Sequence, residues 1–206
     1  MVLLNIALIP TATQGGALYA VGLVITHVWN KNIDFVRAGS YASNGAVDNL
    51  IQVSNGDANV SMAISSNCFQ SYYGLDLFTD HENKKLRVIA GLYPQFNQII
   101  VSQKSGITKL QDVKGHSFAV ANKGSAVEGE CQNHFTAAGL NYPTDFQAEY
   151  SALGDASSRL INGTIDGAWV MGGFPMSSII VACTNGCKLL TVDDDVIYEL
   201  QKTFPW

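Results

Sequence analysis

Short apolar runs alternate with amphipathic segments along the chain. The first run, VLLNIALI at residues 2–9, has the length of a β-strand. The segment after it carries apolar or small residues at the spacing of one helical face: Leu18, Val21, Gly22, Ile25, Val28 and Trp29. Further strands are predicted at residues 35–39, 59–65, 86–93, 97–103, 117–122, 145–151, 167–171 and 188–192. Helices are predicted at residues 46–53, 125–138, 157–161 and 196–200 and after Pro175. The alternation predicts an α/β fold in which mostly parallel sheets are flanked by helices.

One joint between a helix and a strand occurs twice. The segments LIQVSNGDANVSMAI and SRLINGTIDGAWVM share a helix end, an Asn-Gly pair, an aspartate (Asp57 or Asp166) and a predicted strand. Asn-Gly supplies the left-handed residue that ends many helices. The repeat favours two lobes of similar construction, at residues 1–95 and 96–206, with NQIIVSQ at 97–103 crossing between them. The alternative is that this joint is common to α/β proteins and carries no such meaning.

Polar loops follow five of the predicted strands. They are TATQGG at 11–16, SNG at 43–45, SSN at 65–67, NKGSAVE at 122–128 and GGFP at 172–175. Open α/β sheets bind ligands at the carboxyl ends of their strands, where helix starts also present unpaired N–H groups that hold anions. The sequence therefore predicts a ligand cleft between the lobes. TATQGG can also be a plain turn in which Thr13 caps the helix.

Composition narrows the class of protein. A chain of 206 residues with 47% hydrophobic and 14% charged residues can bury a sizeable core and is not typical of a disordered protein. The net charge is −5 and the basic residues are scattered, which argues against nucleic-acid binding. No apolar run approaches the roughly 18 residues of a membrane span. The first ten residues lack the features of a signal peptide, which indicates a cytosolic protein or a chain numbered without its leader.

Catalytic and metal-binding patterns are sparse. The four histidines occur singly, and Glu130 and His134, one helical turn apart, lack an identifiable third ligand. Neither a nucleophile elbow nor a nucleotide-binding glycine loop is present. Cys183 and Cys187 fit no zinc pattern, and they can form a small disulfide or remain two buried thiols. The sequence therefore favours binding over catalysis, with no cofactor and no metal.

Seven short segments match one known family in composition and order. They are TATQGGALY at 11–19, WNK at 29–31, GAVDNL at 45–50, LYPQ at 92–95, SGITKLQDVKG at 105–115, GSAVE at 124–128 and IDGAWVMGGFP at 165–175. Together they resemble the TAXI-type solute-binding proteins of TRAP transporters. Each segment is short, and the specificity of the match comes from their common order along the chain.

The resemblance implies a two-lobed periplasmic binding protein of type II that is not an enzyme. Such a receptor captures a small organic anion or amino acid, glutamate-like or a dicarboxylate, in the cleft and delivers it to the membrane permease subunits of a TRAP transporter. Its location is periplasmic or otherwise extracytoplasmic. Carried over position by position, Tyr93 lies near the hinge. The implied ligand-binding residues are Thr11, Thr13, Gln14, Gly15, Ser43, Asn44, Gly45, Ser65, Ser66, Tyr93, Gly124, Ser125, Ala126, Val127, Gly172, Gly173 and Phe174.

The sequence departs from the family at several positions. Pro10 and Ala12 replace glycines, and Ala126 and Val127 replace a Gly-Thr pair, so the ligand is expected to be larger or more apolar than usual. Family members continue beyond the position of Trp206. The fold is therefore expected to be truncated at its C-terminus, with a homo-oligomer covering the first lobe. The alternative is that the missing segment was cleaved or removed. The alternatives are a cytosolic effector-binding or sensor domain on the same fold, or an enzyme that uses the cleft.

Overall fold

The computed structural model describes residues 5–12, 14, 17–151 and 153–204. The chain divides into two compact units, Met1–Leu92 (unit 1) and Tyr93–Trp206 (unit 2). Both units combine strands with helices, as the alternating pattern of the sequence predicts. No helix among the described residues has the length and apolar character needed to cross a bilayer.

Unit 1 contains a two-stranded parallel sheet. Its elements are β1 (Asn5–Pro10), α1 (Ala17–Asn32), β2 (Val36–Tyr41), α2 (Ala46–Asn55), α3 (Ser65–Tyr73) and a 3-10 turn (Asp76–Phe78). β1 and β2 pair in register from Asn5 opposite Val36 to Pro10 opposite Tyr41. Because parallel neighbours need a crossover, α1 connects them, and the chain segments that leave both strands lie at the same edge of the sheet.

The Asn-Gly joint ends α2 as the sequence predicts. Gly56 has the left-handed conformation with a φ of 83°, and its N–H group donates to Gln52 O and Val53 O. A side chain with a Cβ atom adopts this conformation only at a cost, so glycine suits the position. The chain therefore leaves α2 sharply.

Two strands predicted for unit 1 are wrong. Residues 59–64 are irregular and the chain becomes helical at Ser65, while residues 86–93 also form no strand. Both runs are apolar enough for a strand, but a strand exists only where a neighbouring strand accepts and donates its backbone hydrogen bonds. Among the described residues of unit 1, the sheet consists of β1 and β2 alone. Val88 and Ile89 are consequently 78% and 75% exposed.

Unit 2 is built on a five-stranded sheet. Its elements are β3 (Phe96–Ser102), β4 (Ser117–Ala119), α4 (Ala126–Ala137), β5 (Gln147–Glu149), α5 (Leu153–Ile161), β6 (Gly167–Gly172), α6 (Ser177–Thr184), β7 (Cys187–Leu189) and α7 (Asp194–Thr203). The strand order is β5-β4-β6-β3-β7. β4 is parallel to β5 and β6, whereas β3 is antiparallel to β6 and β7, so the sheet is mixed. All five strands lie within or beside the predicted apolar runs.

The two faces of this sheet carry separate cores. Ile99 and Val101 point into one core, together with Phe118, Phe135 and Trp169, while Ile100 points into the other. Alternation along β3 therefore buries both of its faces. Gly167 on β6 lies so close to the Phe118 ring that an added Cβ atom would be 2.2 Å from it. Only glycine allows this approach of ring and backbone.

The cysteines are free thiols. Of the two alternatives left open for Cys183 and Cys187, the structure has the pair of thiols rather than a disulfide. Burial raises the pKa of the Cys187 thiol, and the neighbouring Cys183 adds to this shift. Both side chains pack in or against the core beneath α5 and α6.

Candidate functional site

The loops that follow β1 and β2 lie side by side. Beyond the last strand pair, the Thr11 N–H group donates to Tyr41 O at 3.1 Å and the Ser43 N–H group donates to Ala12 O at 3.2 Å. The pairing of the two strands thus continues into the polar segments that the sequence predicts as ligand-binding loops. These bonds make the carboxyl edge of the unit 1 sheet a defined surface.

Asn49 joins three segments at this edge. It is fully buried, and its Nδ2 group donates to Thr11 O and to Met62 O, each at 2.7 Å. Its Oδ1 atom accepts from the Ser43 hydroxyl at 2.6 Å. One side chain on α2 therefore holds the loop after β1, the loop after β2 and the segment that leads to α3. A buried amide that makes all of these bonds stabilises one arrangement of the loops.

The start of α2 is shaped by its own side chains. Gly45 precedes the helix with a φ of 101°, and its N–H group donates to Ser43 Oγ at 3.2 Å. The Asn44 N–H group donates to Asp48 Oδ2 at 3.1 Å. An acidic side chain in the first turn is favourable because the N–H groups of that turn carry partial positive charge. The N–H groups of Ala46 and Val47 have no acceptor among the described residues.

An open depression of about 430 Å³ lies against this helix start. It is lined by Gln14, Ala42, Ser43, Asn44, Asp48 and Gln52. Among the described residues, this lining contains one carboxylate and no basic side chain. The lining residue Gln52 accepts a short hydrogen bond from the Tyr41 hydroxyl at its Oε1 atom. Burial raises the pKa of Tyr41, and the negative charges of Asp48 and Asp57 raise it further.

The residues predicted for this edge take different positions. Gln14, Ser43 and Asn44 line the depression, and Gly45 lies at the helix start beside it. Thr11 is fully buried, and its hydroxyl donates to Tyr41 O at 2.8 Å, so its side chain holds the loops together. Thr13 and Gly15 lie outside the described residues.

The predicted Ser65 and Ser66 begin α3, whose polar side is buried. Ser65 is exposed, whereas the buried residues of this helix are Ser66, Asn67, Gln70 and Ser71. The Asn67 Nδ2 group donates to Gln70 Oε1 at 2.9 Å. Asn67 Oδ1 and the Ser71 hydroxyl have no partner among the described residues. The segment SSN therefore contributes polar groups to the interior of unit 1.

In unit 2, Ser125 caps α4. Its hydroxyl accepts from the Glu128 N–H group at 3.2 Å, and the Gly124 N–H group makes a short hydrogen bond to Glu128 Oε2. The second carboxylate oxygen accepts from the Tyr142 hydroxyl at 2.9 Å. Burial and this bond to Glu128 raise the pKa of Tyr142 far above its usual range. The predicted Ala126 is buried in the first turn of this helix, and the predicted Val127 packs against the core.

The predicted Gly172 is the last residue of β6, and the predicted Gly173 and Phe174 follow the strand. A Cβ atom at Gly172 would be 2.7 Å from Met176 Sδ, and Gly173 O accepts from Gln98 Nε2 at 3.3 Å. Phe174 is 68% exposed and lies edge-on to the Phe96 ring, with 6.4 Å between the ring centroids.

Tyr93, predicted near the hinge, is half-buried at the start of unit 2. Burial raises the pKa of Tyr93, and the contact with Gln95 offsets part of this rise. The Gln95 Nε2 group donates to the Tyr93 hydroxyl at 3.4 Å.

Four polar residues near these loops were not among the predicted site residues: Asp48, Asn49, Gln52 and Gln98. Gln98 on β3 is buried, and its Oε1 atom has no partner among the described residues. The sequence signal for Gln98 is an amide directly before the apolar residues 99–101 of the predicted strand NQIIVSQ.

The weak metal pattern of the sequence has another explanation. His134 Nδ1 lies 2.7 Å from Glu130 O, and the His134 ring packs against Trp169. Burial lowers the pKa of His134, although the contacts with Glu130 oppose this shift. Within the described ranges no group of three His, Cys, Asp or Glu side chains could hold a metal ion.

Solved structures show what this fold is similar to. The alkanesulfonate-binding protein SsuA from Xanthomonas axonopodis pv. citri, bound to MOPS, matches with a TM-score of 0.58 and 16% identity over 90% of this chain. The chain spans 60% of the length of that protein. The binding protein of an ABC phosphonate transporter from Pseudomonas aeruginosa matches with a TM-score of 0.62 and 10% identity, over 98% of this chain and 74% of that one.

An amino acid ABC transporter substrate-binding protein from Streptococcus pneumoniae, AbpA bound to L-arginine, matches with a TM-score of 0.57 and 12% identity. This match covers 96% of the present chain and 88% of AbpA. The predicted fold class is confirmed, because the α/β architecture is that of type II periplasmic binding proteins. The sequence pattern of the NMT1-like family matches residues 9–206, and the chain therefore belongs to the NMT1-like family.

Proposed function

We propose that the protein is an extracytoplasmic solute receptor without enzymatic turnover. The observation that carries this proposal is the open depression at the carboxyl edge of β1 and β2, in the position where sheets of this class bind ligands. Membership of the NMT1-like family and the fold of solute-binding proteins support it. Residues 124–127 and 172–174 are proposed as further ligand contacts.

The proposed ligand is a small carboxylate-bearing solute, either an amino acid or a dicarboxylate. The position of the depression beside the start of α2 supports a carboxylate, since a helix start attracts negative charge. The amides of Gln14, Asn44 and Gln52 offer further hydrogen bonds around the depression.

The proposed partner is the permease of a TRAP transporter, which rests on the resemblance to TAXI proteins. A second candidate is the permease of an ABC transporter. Two of the structural neighbours named above belong to ABC transporters, which favours this candidate. Sequencing the neighbouring genes separates the two partners, because a TRAP permease and an ABC permease with its ATPase are encoded by different sets of genes.

Binding is tested with purified protein. Native mass spectrometry shows whether a small molecule co-purifies, and calorimetric titration with L-glutamate and with succinate measures affinity. We expect at least one of these acids to bind, and Asn44→Ala to weaken it. Thr79→Ala, an exposed change in the 3-10 region that does not line the depression, is the control. No co-purified molecule and no binding of either acid would refute the proposal.

A further inference from the structure

We infer that Asp48 is a specificity residue that binds an ammonium group of the solute. The inference rests on the proposed function and deepens it, since it selects amino acids over dicarboxylates as ligands. It follows from the charge of the depression and from the hydrogen bonds that its polar side chains have already made.

The Asp48 carboxylate has one oxygen engaged and one available. Oδ2 accepts from the Asn44 N–H group at 3.1 Å, which fixes the side chain at the first turn of α2. No described residue donates to Oδ1. The side chain is half-buried and lines the depression, so this oxygen can accept a hydrogen bond from a ligand.

The other acceptors in the lining are partly used. Gln52 Oε1 accepts from the Tyr41 hydroxyl. Ser43 Oγ accepts from the Gly45 N–H group while its own hydrogen goes to Asn49 Oδ1. Asp48 is therefore the strongest remaining acceptor and, among the described lining residues, the one charged side chain.

A second carboxylate of a ligand would be unfavourable here. It would lie beside the negative Asp48, and none of the lining residues that the structure describes is basic and could offset the repulsion. An ammonium group instead forms a charge-assisted hydrogen bond, which is about twice as strong as a neutral one. The start of α2, which carries partial positive charge beside the depression, favours the carboxylate of the same ligand. Asp48 and the helix start together match the two opposite charges of an amino acid.

Two matched pairs of acids test the assignment. L-Glutamate and glutarate differ only in the ammonium group, and so do L-aspartate and succinate. We expect the amino acid of at least one pair to bind about tenfold or more tightly than its partner. Asp48→Asn should abolish this preference, and Asp48→Glu should restore part of it.

Asp57→Asn is the matched control. It removes the same charge from an exposed residue whose charge also raises the pKa of Tyr41 but which does not line the depression. This variant should therefore keep the preference for the amino acid over the dicarboxylate. Equal or tighter binding of the dicarboxylates would overturn this assignment and leave the proposed function standing. An equal loss of preference in the Asp48 and Asp57 variants would also overturn it, because the general negative potential of the surface, and not Asp48, would then select the amino acid. If none of the four acids binds but another molecule co-purifies, this assignment fails and the receptor function stands; if none binds and nothing co-purifies, both fail.

Discussion

Replacing Asn49 with alanine removes the side chain that connects three segments of the candidate site. The change leaves Thr11 O and Met62 O without their donor and the Ser43 hydroxyl without its acceptor, in a fully buried place. Each buried polar group left without a partner costs about 1–3 kcal/mol. Because Ser43 can rotate and the alanine leaves room for water, we expect a total loss of about 2–4 kcal/mol.

This loss is measurable because a folded domain is stable by only about 5–15 kcal/mol. Urea unfolding should show a lower midpoint for Asn49→Ala with an unchanged slope. Amide exchange should show faster opening at the N–H groups of Thr11 and Ser43, whose bonds join the two loops. Asn44→Ala is the control, since that side chain is exposed and should change stability by less than about 0.5 kcal/mol. A loss below about 1 kcal/mol with unchanged exchange would show that Asn49 does not hold these loops.

Two further predictions concern unit 2. Gly167→Ala should destabilise it by about 1–3 kcal/mol in urea unfolding, because the new methyl group would overlap the Phe118 ring. Gly129→Ala in α4 has open space and should be neutral or stabilising, and equal effects of the two changes would contradict the packing argument. Burial alone would raise the pKa of Asp166, but hydrogen bonds from Ser117 and His116 outweigh it and lower that pKa below 3.8. Asp166 therefore stabilises the fold above about pH 4 and loses this contribution as the pH falls through the lowered pKa. Asp166→Asn should therefore weaken the decrease of the unfolding free energy at acidic pH. An unchanged decrease would refute this.

The sequence by itself determined the elements that depend on local pattern. The β3–β7 strands of unit 2, the helices between them and the glycine that ends α2 follow from apolar period and turn residues. The polar loops beside β1 and β2 were also predictable, because a break between a strand and a helix is a local feature. These signals need no knowledge of which segments become neighbours.

The tertiary structure alone decided which of these segments pair and what their polar side chains do. Residues 59–65 and 86–93 have strand-like composition, yet no described neighbour completes their hydrogen bonds, so neither forms a strand. The family resemblance implies that Thr11 contacts the ligand, but its hydroxyl donates a hydrogen bond to Tyr41 O. Asn49 and Asp48 are adjacent in the chain and point differently, one into the interior to hold the loops and one to the open depression. A helix turns by about 100° per residue, so only the packing around α2 assigns these two side chains their separate roles.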